Sequence, residues 1–328
     1  MGTDFEAATG PLRRELLAHC YRMMGSATDA EDLVQETYLR AWRAYPCFEG
    51  RSSVRTWMYR IATNACLSAL SSAATRVLPT GLGAPAGDPC APLHLRDDLA
   101  WVEPLPEAML WQDAHPTPEE RLLARENLAL AWTAALQQLP PRQRAAILLC
   151  EVLGFSAAAA AETLDTSVAS LNSALQRGRS TIGGGLAEPD ATAGAAPGTD
   201  TAAVDAAAVG AFVDAFEAHD FAAIVASMAA DVTWQMPPFD RWYAGPHDAA
   251  TLAFTHCPAR AAGDLAFRRT VANGVPAVGM YLRKGSQWEA FQLQVLHVNA
   301  EGLVDAVTGW FEPHLFRLAG LPLVLGEP

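Results

Sequence analysis

A stretch of small and helix-breaking residues divides this 328-residue chain into two parts with different patterns. Residues 183–201 contain five glycines and two prolines, and Leu186 is their one large apolar residue. Such a composition cannot bury a core of its own and is typical of a flexible tether. Apolar residues recur at helical spacing before the tether, whereas strand-like runs predominate after it. The sequence therefore predicts separate folding units, about two for a chain of this length.

The part before the tether is predicted to be helical. Apolar spacing indicates helices over residues 11–25, from about 29 to the loop 45–53, from that loop to 70, and over 119–138, 140–154, 156–164 and 168–182. Thr28 and Glu31 have the spacing of a capping box at the start of the second helix. Trp42 is expected on the buried side of that helix. The last two helices, joined by a three-residue turn, have the pattern of a helix-turn-helix.

After the tether, two helices are expected over residues 202–218 and 220–230, followed by strands. The strand-like runs are residues 232–236, 264–272, 277–284, 287–298 and 303–311. Turn residues predict hairpins at 284–287 and 299–302. Helices first and an antiparallel sheet afterwards indicate a compact α+β domain.

Charge is distributed unevenly along the chain. The net charge is −13, and 22 of the 23 basic residues are arginine. The helical blocks 11–70 and 136–185 carry +2 and +1, whereas residues 71–135 carry −5 and residues 186–328 carry −9. The overall acidity argues against nucleic-acid binding, but the two helical blocks do not share that acidity.

Composition also excludes several classes of protein. No window holds the roughly 18 uninterrupted apolar residues of a membrane span, and the N-terminus lacks the pattern of a signal peptide. The six cysteines are scattered, with no CxxC pair and no spacing typical of a metal site. We therefore expect a cytoplasmic protein whose cysteines are free thiols, with no metal and no cofactor.

Polar side chains suited to nucleic acid follow the second helix of the helix-turn-helix. Val168, Leu171 and Leu175 are expected to face inward. The outward side chains are Ser170, Asn172, Ser173, Gln176 and Arg177. Asn and Gln can contact adenine, and Arg can contact guanine or a phosphate. An ordinary helical hairpin with a solvated polar face would have the same pattern.

Residues 48–63 combine cations with aromatic rings. Three arginines are interleaved with three aromatic residues, namely Arg51, Arg55 and Arg60 with Phe48, Trp57 and Tyr59. Cations that hold a phosphate chain, beside rings on which unpaired bases stack, suit single-stranded nucleic acid. Trp57 taken alone would equally suit the protein core.

In this order, the segments resemble bacterial sigma-70-type factors. Residues 29–42 (DAEDLVQETYLRAW) resemble the helix that binds core RNA polymerase. Residues 51–66 (RSSVRTWMYRIATNAC) resemble the −10-element helix of the extracytoplasmic-function group, and residues 139–179 resemble its −35-reading helix-turn-helix. The wording of residues 166–177 (TSVASLNSALQR) and 101–106 (WVEPLP) is similar to a subset with a C-terminal SnoaL-like domain, which residues 202–320 resemble.

The resemblance implies a multidomain fold. Two all-α helical sigma domains, the second a helix-turn-helix, would precede an α+β, cone-shaped domain of the SnoaL-like or ketosteroid-isomerase-like type. The expected boundaries are region 2 over residues 8–72, an acidic Pro/Gly-rich linker over 73–118, region 4 over 119–183, a flexible tether over 184–201 and the SnoaL-like domain over 202–322.

The resemblance also implies roles for individual residues. Polymerase binding is expected at Asp29, Asp32, Leu33, Gln35 and Glu36. Contacts to the −10 element, including a flipped base in the loop, are expected at Phe48, Glu49, Arg51, Ser52, Ser53, Arg55, Trp57 and Tyr59. Contacts to the −35 element are expected at Ser170, Asn172, Ser173, Gln176, Arg177 and Arg179. Many relatives outside the subset carry an arginine where Asn172 or Ala174 stands, so their −35 sequence does not transfer.

Two acidic parts of the chain gain an interpretation from the resemblance. Carboxylates of the linker would lie in the polymerase channel that later holds RNA, at Asp97, Asp98, Glu103, Glu107 and Asp113. A plain solvated tether is the alternative. In the C-terminal domain, a candidate pocket for a small-molecule ligand would be lined by Trp234, Asp240, Trp242, His247, His297 and Trp310. Fold alone does not imply chemistry, and no catalytic residue is expected there.

The predicted function is that of a sigma factor, which is not an enzyme by itself. It would bind the β′ clamp and β subunits of core RNA polymerase, direct promoter-specific initiation at the nucleoid, and be modulated in cis by its C-terminal domain. One alternative is a ligand-responsive helix-turn-helix repressor, which predicts tight operator binding without polymerase. Another is a SnoaL-like enzyme fused to a helical DNA-binding half, which predicts turnover by the C-terminal domain.

Overall fold

The computed structural model describes residues 2–111, 117, 128–185 and 201–326. These residues form two compact units. The first contains residues 2–76 and 128–185, and the second contains residues 77–111, 117 and 201–326. Most of the predicted tether lies outside the described residues. Among the described helices, none is long and apolar enough to span a membrane.

The first unit begins with a block of helices. They are α1 (Gly2–Thr9), α2 (Arg13–Met24), α3 (Ala27–Ala44) and α4 (Val54–Leu70). After them the chain forms β1 (Arg76–Val77) and passes into the second unit, where it forms β2 (Ala100–Trp101) and α5 (Glu107–Leu110). Ser26 caps α3, because its Oγ accepts a hydrogen bond from Asp29 N at 3.0 Å. The predicted capping box of Thr28 and Glu31 is therefore wrong.

The second helical block of this unit contains the helix-turn-helix. It comprises α6 (Leu130–Gln137), α7 (Pro141–Ile147), a π-helical turn (Leu148–Val152), α8 (Ala157–Thr163) and α9 (Val168–Gly185). Gly154 ends the π-helical turn with a φ of +69°, a conformation that glycine adopts without strain. Residues 119–127 of the predicted helix 119–138 lie outside the described residues, and its later part is observed as α6.

The inward stripe of α3 does not include Trp42. Val34, Thr37 and Ala41 are buried at helical spacing, whereas Trp42 is 48% exposed. Each helical step rotates the side chain by about 100°, so the residue after Ala41 leaves the buried stripe. Phe5 of α1 packs edge-on against the indole, with ring centroids 5.2 Å apart. The prediction that Trp42 is buried is wrong.

The chain after the tether forms an α+β domain, as predicted. Its elements are α10 (Thr201–Glu217), α11 (Phe221–Ala226), β3 (Met228–Gln235), β4 (Trp242–Ala244), α12 (Pro246–His256), β5 (Leu265–Ala272), β6 (Val275–Lys284), β7 (Gln287–Val298), β8 (Val304–Trp310), α13 (Pro313–Leu318) and β9 (Val324–Leu325). In the described residues the sheet order is β4–β3–β8–β7–β6–β5, with β9 paired to β7. Among the described strand pairs of this sheet, β3 and β8 alone are parallel. The sequence prediction missed β4, α12, α13 and β9, and it placed residues 228–230 in a helix although they begin β3.

The sheet is covered on both faces. On one face, Phe212 and Phe216 of α10 pack on Trp234, with ring centroids 6.2 and 6.0 Å apart. On the other face, Phe316 of α13 packs edge-on against Tyr281 at 5.3 Å. A Cβ at Gly279 would lie 2.9 Å from the Phe316 ring, so this strand position accommodates α13 because it has no side chain.

The segment predicted as an acidic linker binds the C-terminal domain. Val102 and Leu105 are fully buried, and Trp310 Nε1 donates to Val102 O at 2.9 Å. Asn273, in the turn between β5 and β6, accepts from Leu105 N with its Oδ1 at 2.9 Å and donates its own N–H to Leu105 O at 2.9 Å. The described part of the linker is therefore not a plain solvated tether, which corrects that alternative.

Candidate nucleic-acid interface

The predicted −35 residues lie on the solvent side of α9. Leu171 and Leu175 are buried beneath the helix, and the predicted contacts are all exposed, at Ser170, Asn172, Ser173, Gln176, Arg177 and Arg179. Ser167 Oγ accepts from Ser170 N at 3.1 Å and so fixes the start of the helix. Val168, predicted to face inward, is 43% exposed because it stands at the turn before the packed part of α9.

A close approach of two helices holds this surface in place. A Cβ at Gly178 would lie 2.6 Å from Ile147 Cδ1, so α9 packs on α7 only because residue 178 has no side chain. At the next residue, Arg179 Nε donates to Glu151 Oε1 at 2.6 Å. This predicted −35 contact is therefore engaged in a surface ion pair within the same helical block.

An exposed face of α3 carries part of the predicted polymerase-binding set. Asp32 and Gln35 are exposed, and the large apolar residues Leu39 and Trp42 beyond them are 53% and 48% exposed. Spacings of three and four residues place these four side chains on one face of the helix. The sequence prediction missed Leu39 and Trp42, although exposed large apolar residues indicate a protein contact.

Other members of that set make contacts within the first unit. Arg76 Nη2 donates to Asp29 Oδ2 at 2.7 Å, and Asp29 is half-buried. Glu36 accepts from Arg40 Nε at 2.6 Å on the helix surface. Leu33 is half-buried. The structure therefore places Asp32 and Gln35 fully at the surface and Asp29, Leu33 and Glu36 beside it.

Aromatic rings surround the loop that precedes α4. The Tyr45 and Phe48 rings are nearly parallel with centroids 6.4 Å apart, and Phe48 lies 4.9 Å from Trp57. Phe48 and Trp57 are half-buried. Trp57 is therefore partly exposed, and it packs against Phe48 from α4.

The polar residues of this loop divide into exposed and structural ones. Arg51 Nε lies 3.2 Å from Glu49 Oε2, and both side chains are strongly exposed. Ser53 Oγ accepts from Thr56 N at 3.0 Å, so Ser53 caps α4. Ser52 is half-buried. Of the predicted −10 set, Glu49, Arg51 and Ser53 are exposed to solvent.

Tyr59 and Arg55 are held inside the first unit. Tyr59 is fully buried, its hydroxyl donates to Glu15 Oε2 at 3.2 Å, and Arg55 Nε donates to the same oxygen at 3.0 Å. The Tyr59 ring packs edge-on against Phe155 at 5.6 Å. Burial raises the pKa of Tyr59 well above its usual value. Tyr59, predicted to contact the −10 element, is not accessible in this structure.

A buried histidine lies behind Tyr59. The rings of His19 and Tyr59 are 5.2 Å apart, and His19 Nε2 lies 2.9 Å from Thr63 Oγ1. Burial, and after it the charge of Arg22, lowers the pKa of His19 to about 3. The imidazole is therefore neutral at ordinary pH, and it contributes to packing rather than to the charge of the −10 surface.

The candidate pocket residues of the C-terminal domain do not converge on one site. Trp234 lies in the core beneath α10, whereas Trp310 lies on the opposite face of the sheet beside Val102. His247 packs edge-on against Phe221. His297 Nδ1 lies 2.6 Å from Asp305 Oδ1 at the surface. The predicted single pocket lined by all six residues is wrong, because alternate strand positions send their side chains to opposite faces.

Asp240 and Trp242 alone among the six line a common cleft. It has a volume of about 450 Å³ and lies between the linker and the loop before β4, with Leu82, Arg96 and Leu99 among its other lining residues. Trp242 Nε1 donates to Gly83 O at 2.8 Å, and Arg96 Nη1 lies 3.6 Å from Asp240 Oδ2. Within the described residues, no cluster of His, Cys, Asp and Glu is arranged to hold a metal ion.

Two family models match the chain. Residues 11–76 match the model described as Sigma-70 region 2, and residues 129–182 match Sigma-70, region 4. The first contains α2, α3 and α4, and the second contains the helix-turn-helix.

Individual proteins match over longer stretches. ECF RNA polymerase sigma factor SigG of Mycobacterium tuberculosis (strain H37Rv) is 46% identical over 319 residues, which cover 97% of this chain and 84% of that protein. ECF RNA polymerase sigma factor SigJ of the same strain is 28% identical over 232 residues, covering 71% of this chain and 63% of that protein. The crystal structure of M. tuberculosis SigJ shares the fold, with a TM-score of 0.58, 22% identity, and coverage of 98% of this chain and 100% of that one.

Proposed function

The chain belongs to the extracytoplasmic-function family of RNA polymerase sigma factors, and on that premise we propose which of its surfaces perform each step of initiation. A sigma factor binds core RNA polymerase and directs it to promoters. Region 2 denotes residues 11–76 below, and region 4 denotes residues 129–182.

We propose that the exposed face of α3 binds the polymerase clamp. Asp32 and Gln35 supply polar contacts there, and Leu39 and Trp42 supply the apolar area that a stable protein interface buries. Asp29, Leu33 and Glu36 border that face. Region 4 is expected to contact the β subunit.

The −35 element is assigned to the outer face of α9. The six polar residues on that face are exposed above two buried leucines, which is the arrangement of a recognition helix in a major groove. This observation carries the functional proposal. The −10 element is assigned to the loop 48–53, to Trp57 beside Phe48, and to the other side of α4, which carries Arg55 and Tyr59.

Transcription in vitro tests the assignment. Purified core polymerase and the full chain are supplied with a template library randomised upstream of the start site. The wild-type protein should select templates with shared −35 and −10 elements. A Gln176→Ala, Arg177→Ala variant should initiate less and lose preference only at −35 positions. Ser180→Ala, on the same helix, is the matched control and should leave the selection unchanged; an identical selection by both variants would overturn the −35 assignment.

We infer that the C-terminal domain modulates initiation by holding the linker. Linker residues contact the domain directly, since Glu103 Oε1 lies 3.9 Å from His314 Nε2 and Arg96 Nη1 lies 3.6 Å from Asp240 Oδ2. Asp98, also proposed to enter the polymerase channel, accepts from the same Arg96 at 2.7 Å. The same segment cannot occupy the domain and the channel at once. The two sites therefore compete for the linker.

Variants that weaken linker binding test this competition in the full chain. Trp310→Phe removes the hydrogen bond to Val102 O, and Asn273→Gly removes the bond from Leu105 N while preserving a turn residue that tolerates positive φ. Each lost bond should shift linker release by about 2- to 10-fold, seen as faster proteolysis between residues 79 and 110 and increased initiation. Asn299→Gly, in the neighbouring hairpin, is the control. Faster cleavage with unchanged transcription would overturn the proposal.

We also propose that the C-terminal domain performs no catalysis and that the protein acts in the cytoplasm at the nucleoid, where its polymerase and DNA partners are. The contacts of Asp240 support the first point, because its Oδ2 lies 3.0 Å from His94 Nδ1 and 3.6 Å from Arg96 Nη1 of the linker, while His247 and His297 make contacts elsewhere. A ligand in that cleft would contact both the linker and Trp242. Family membership leaves no need for the repressor alternative.

A further inference from the structure

The first helix of the chain precedes the residues that match region 2, yet it packs on that region through one aromatic ring. Phe5 of α1 is buried, and its ring contacts Tyr38, Trp42 and Tyr45 edge-on, at centroid distances of 6.3, 5.2 and 5.2 Å. The first two partners belong to α3, and the third begins the 3-10 turn that follows it (Tyr45–Cys47). Phe5 therefore joins α1 both to α3 and to the turn that precedes the −10 loop.

Hydrogen bonds hold α1 against α3. The Tyr38 hydroxyl donates to Thr9 O at 2.7 Å, and Thr9 Oγ1 donates to Phe5 O at 2.8 Å. Thr9 is fully buried. Its carbonyl belongs to the last turn of α1, where carbonyls lack partners within the helix, so the bond from Tyr38 satisfies a group that would otherwise be buried and unpaired. These bonds give the Phe5 ring a fixed position on region 2.

A row of aromatic rings continues from Phe5 to the −10 loop. Phe5 contacts Tyr45, the Tyr45 ring lies nearly parallel to that of Phe48, and Phe48 packs against Trp57 of α4. Phe48 N also donates to Tyr45 O at 3.0 Å. The Phe48 ring is thus held between a ring that follows α3 and a ring of α4. Its orientation depends on Tyr45, which in turn packs on Phe5.

The remainder of the loop 48–53 does little to fix the Phe48 ring. Glu49 and Arg51 pair with each other at the surface, and exposed ion pairs contribute little. Gly50 has a φ of +69°, a conformation that glycine adopts without strain. A binding residue on a loop is precise only where packing holds its rotamer. For Phe48 that packing comes from the neighbouring rings.

We propose that Phe5 is a positioning residue for recognition of the −10 element and that it acts through Tyr45 on Phe48. The proposal rests on the proposed assignment of that element to the loop 48–53. Phe5 is buried and does not touch DNA. It restricts the Tyr45 ring and so keeps the Phe48 ring in the orientation on which an unpaired base stacks. Removing one aromatic pair should reduce the population of that orientation about 2- to 10-fold.

Binding of a single strand by the holoenzyme tests the proposal in the full chain. Phe5→Leu and Tyr45→Leu each remove a ring and keep an apolar side chain. With saturating core polymerase, each should weaken binding of a fluorescent oligonucleotide that carries the selected −10 element about 2- to 10-fold. In the template library each should lose preference at −10 positions and keep it at −35 positions. Cys20→Ala, at a fully buried position of α2, controls for a general loss of stability and should bind as the wild type does.

A double-mutant cycle separates positioning from a merely structural role. Phe48→Ala removes the ring on which the base would stack, so Phe5→Leu should weaken binding no further in that background. An equal effect of Phe5→Leu with and without the Phe48 ring, or no effect of Phe5→Leu alone, would overturn the proposal and leave the assignment of the loop intact. If Phe48→Ala itself did not weaken binding, the proposed function of the loop would fail, and the positioning role of Phe5 with it.

Discussion

The two DNA-facing surfaces of the first unit differ in accessibility. The −35 set on α9 is entirely exposed, whereas on α4 Tyr59 is fully buried and Arg55 is held by Glu15 and Phe155. The α9 face consists mainly of short polar side chains, which remain solvated. The α4 face carries aromatic rings and a long arginine, whose apolar parts pack on protein as readily as on bases. A surface built to stack unpaired bases is therefore also one that another part of the chain can cover.

The largest expected effect on stability is at Arg144, whose hydrogen bonds join region 2 to region 4. Its buried guanidinium donates to four backbone carbonyls and to Gln137 Oε1, and burial lowers its pKa to about 10. Arg144→Ala should lower the free energy of unfolding by about 3–5 kcal/mol, because it leaves buried acceptors unpaired. Arg142→Ala, exposed on the same helix, is the control, and equal losses in chemical denaturation would contradict this account.

The next effect is a pH dependence of the free energy of unfolding that originates in region 2. His19 has a folded pKa of about 3 against 6.5 for the exposed imidazole, so the unfolded chain binds the extra proton as the pH falls. The contribution of neutral His19 to the free energy of unfolding is fully present above about pH 6.5, and it should fall by about 1.4 kcal/mol per pH unit towards pH 3. Denaturation curves should show a smaller pH dependence for His19→Gln than for the wild type. The same pH dependence in both proteins would contradict the assignment of this effect to His19.

A smaller effect concerns the support of the exposed −35 surface. Gly178→Ala should cost about 1–3 kcal/mol, because the added Cβ would overlap Ile147 Cδ1. Ile147→Val removes that methyl group and should recover part of the loss in a double-mutant cycle. If the two substitutions were additive in unfolding experiments, the close approach of α7 and α9 would not be the cause.

The smallest effect is at the rim of the same surface. Glu151→Gln breaks an exposed ion pair with Arg179 and should change the free energy of unfolding by less than about 1 kcal/mol. The freed guanidinium should bind −35 DNA somewhat more tightly at low salt. Filter binding of the holoenzyme to a −35 duplex measures this affinity. Weaker binding by the variant would argue that Arg179 does not face the phosphates.

The sequence predicts burial well where the spacing of residues along a single helix determines it. Leu171 and Leu175 are buried and the polar residues between them are exposed, as the spacing predicts, although the DNA contacts themselves remain predictions. Burial of Tyr59 could not be predicted, because its partner Phe155 is 96 residues away in the chain. Trp42 was misassigned because a single helical step separates it from the buried stripe of α3.

The linker shows a second limit of sequence reasoning. Its proline, glycine and acidic residues are typical of a solvated segment, yet its backbone at Gly83, Val102 and Leu105 is bound by side chains of the C-terminal domain. Backbone groups are present at every residue, so composition does not reveal these contacts. Of the partners, Trp242 and Trp310 were predicted to line a ligand pocket, and Asn273 was not singled out from the sequence.

The most direct test of the central claim, that α4 and α9 bind the two promoter elements together, is the distance between the two regions in solution. Spin labels at residues 60 and 162 of the full chain report the separation of α4 and α8, in the free protein and in a promoter-bound holoenzyme. The native side chains lie 3.5 Å apart. The account therefore predicts a short distance in the free chain, determined mainly by the length of the two labels. It predicts a shift to roughly 50 Å or more on the promoter, as the spacing of the two elements requires. The same distance distribution in both states would contradict it.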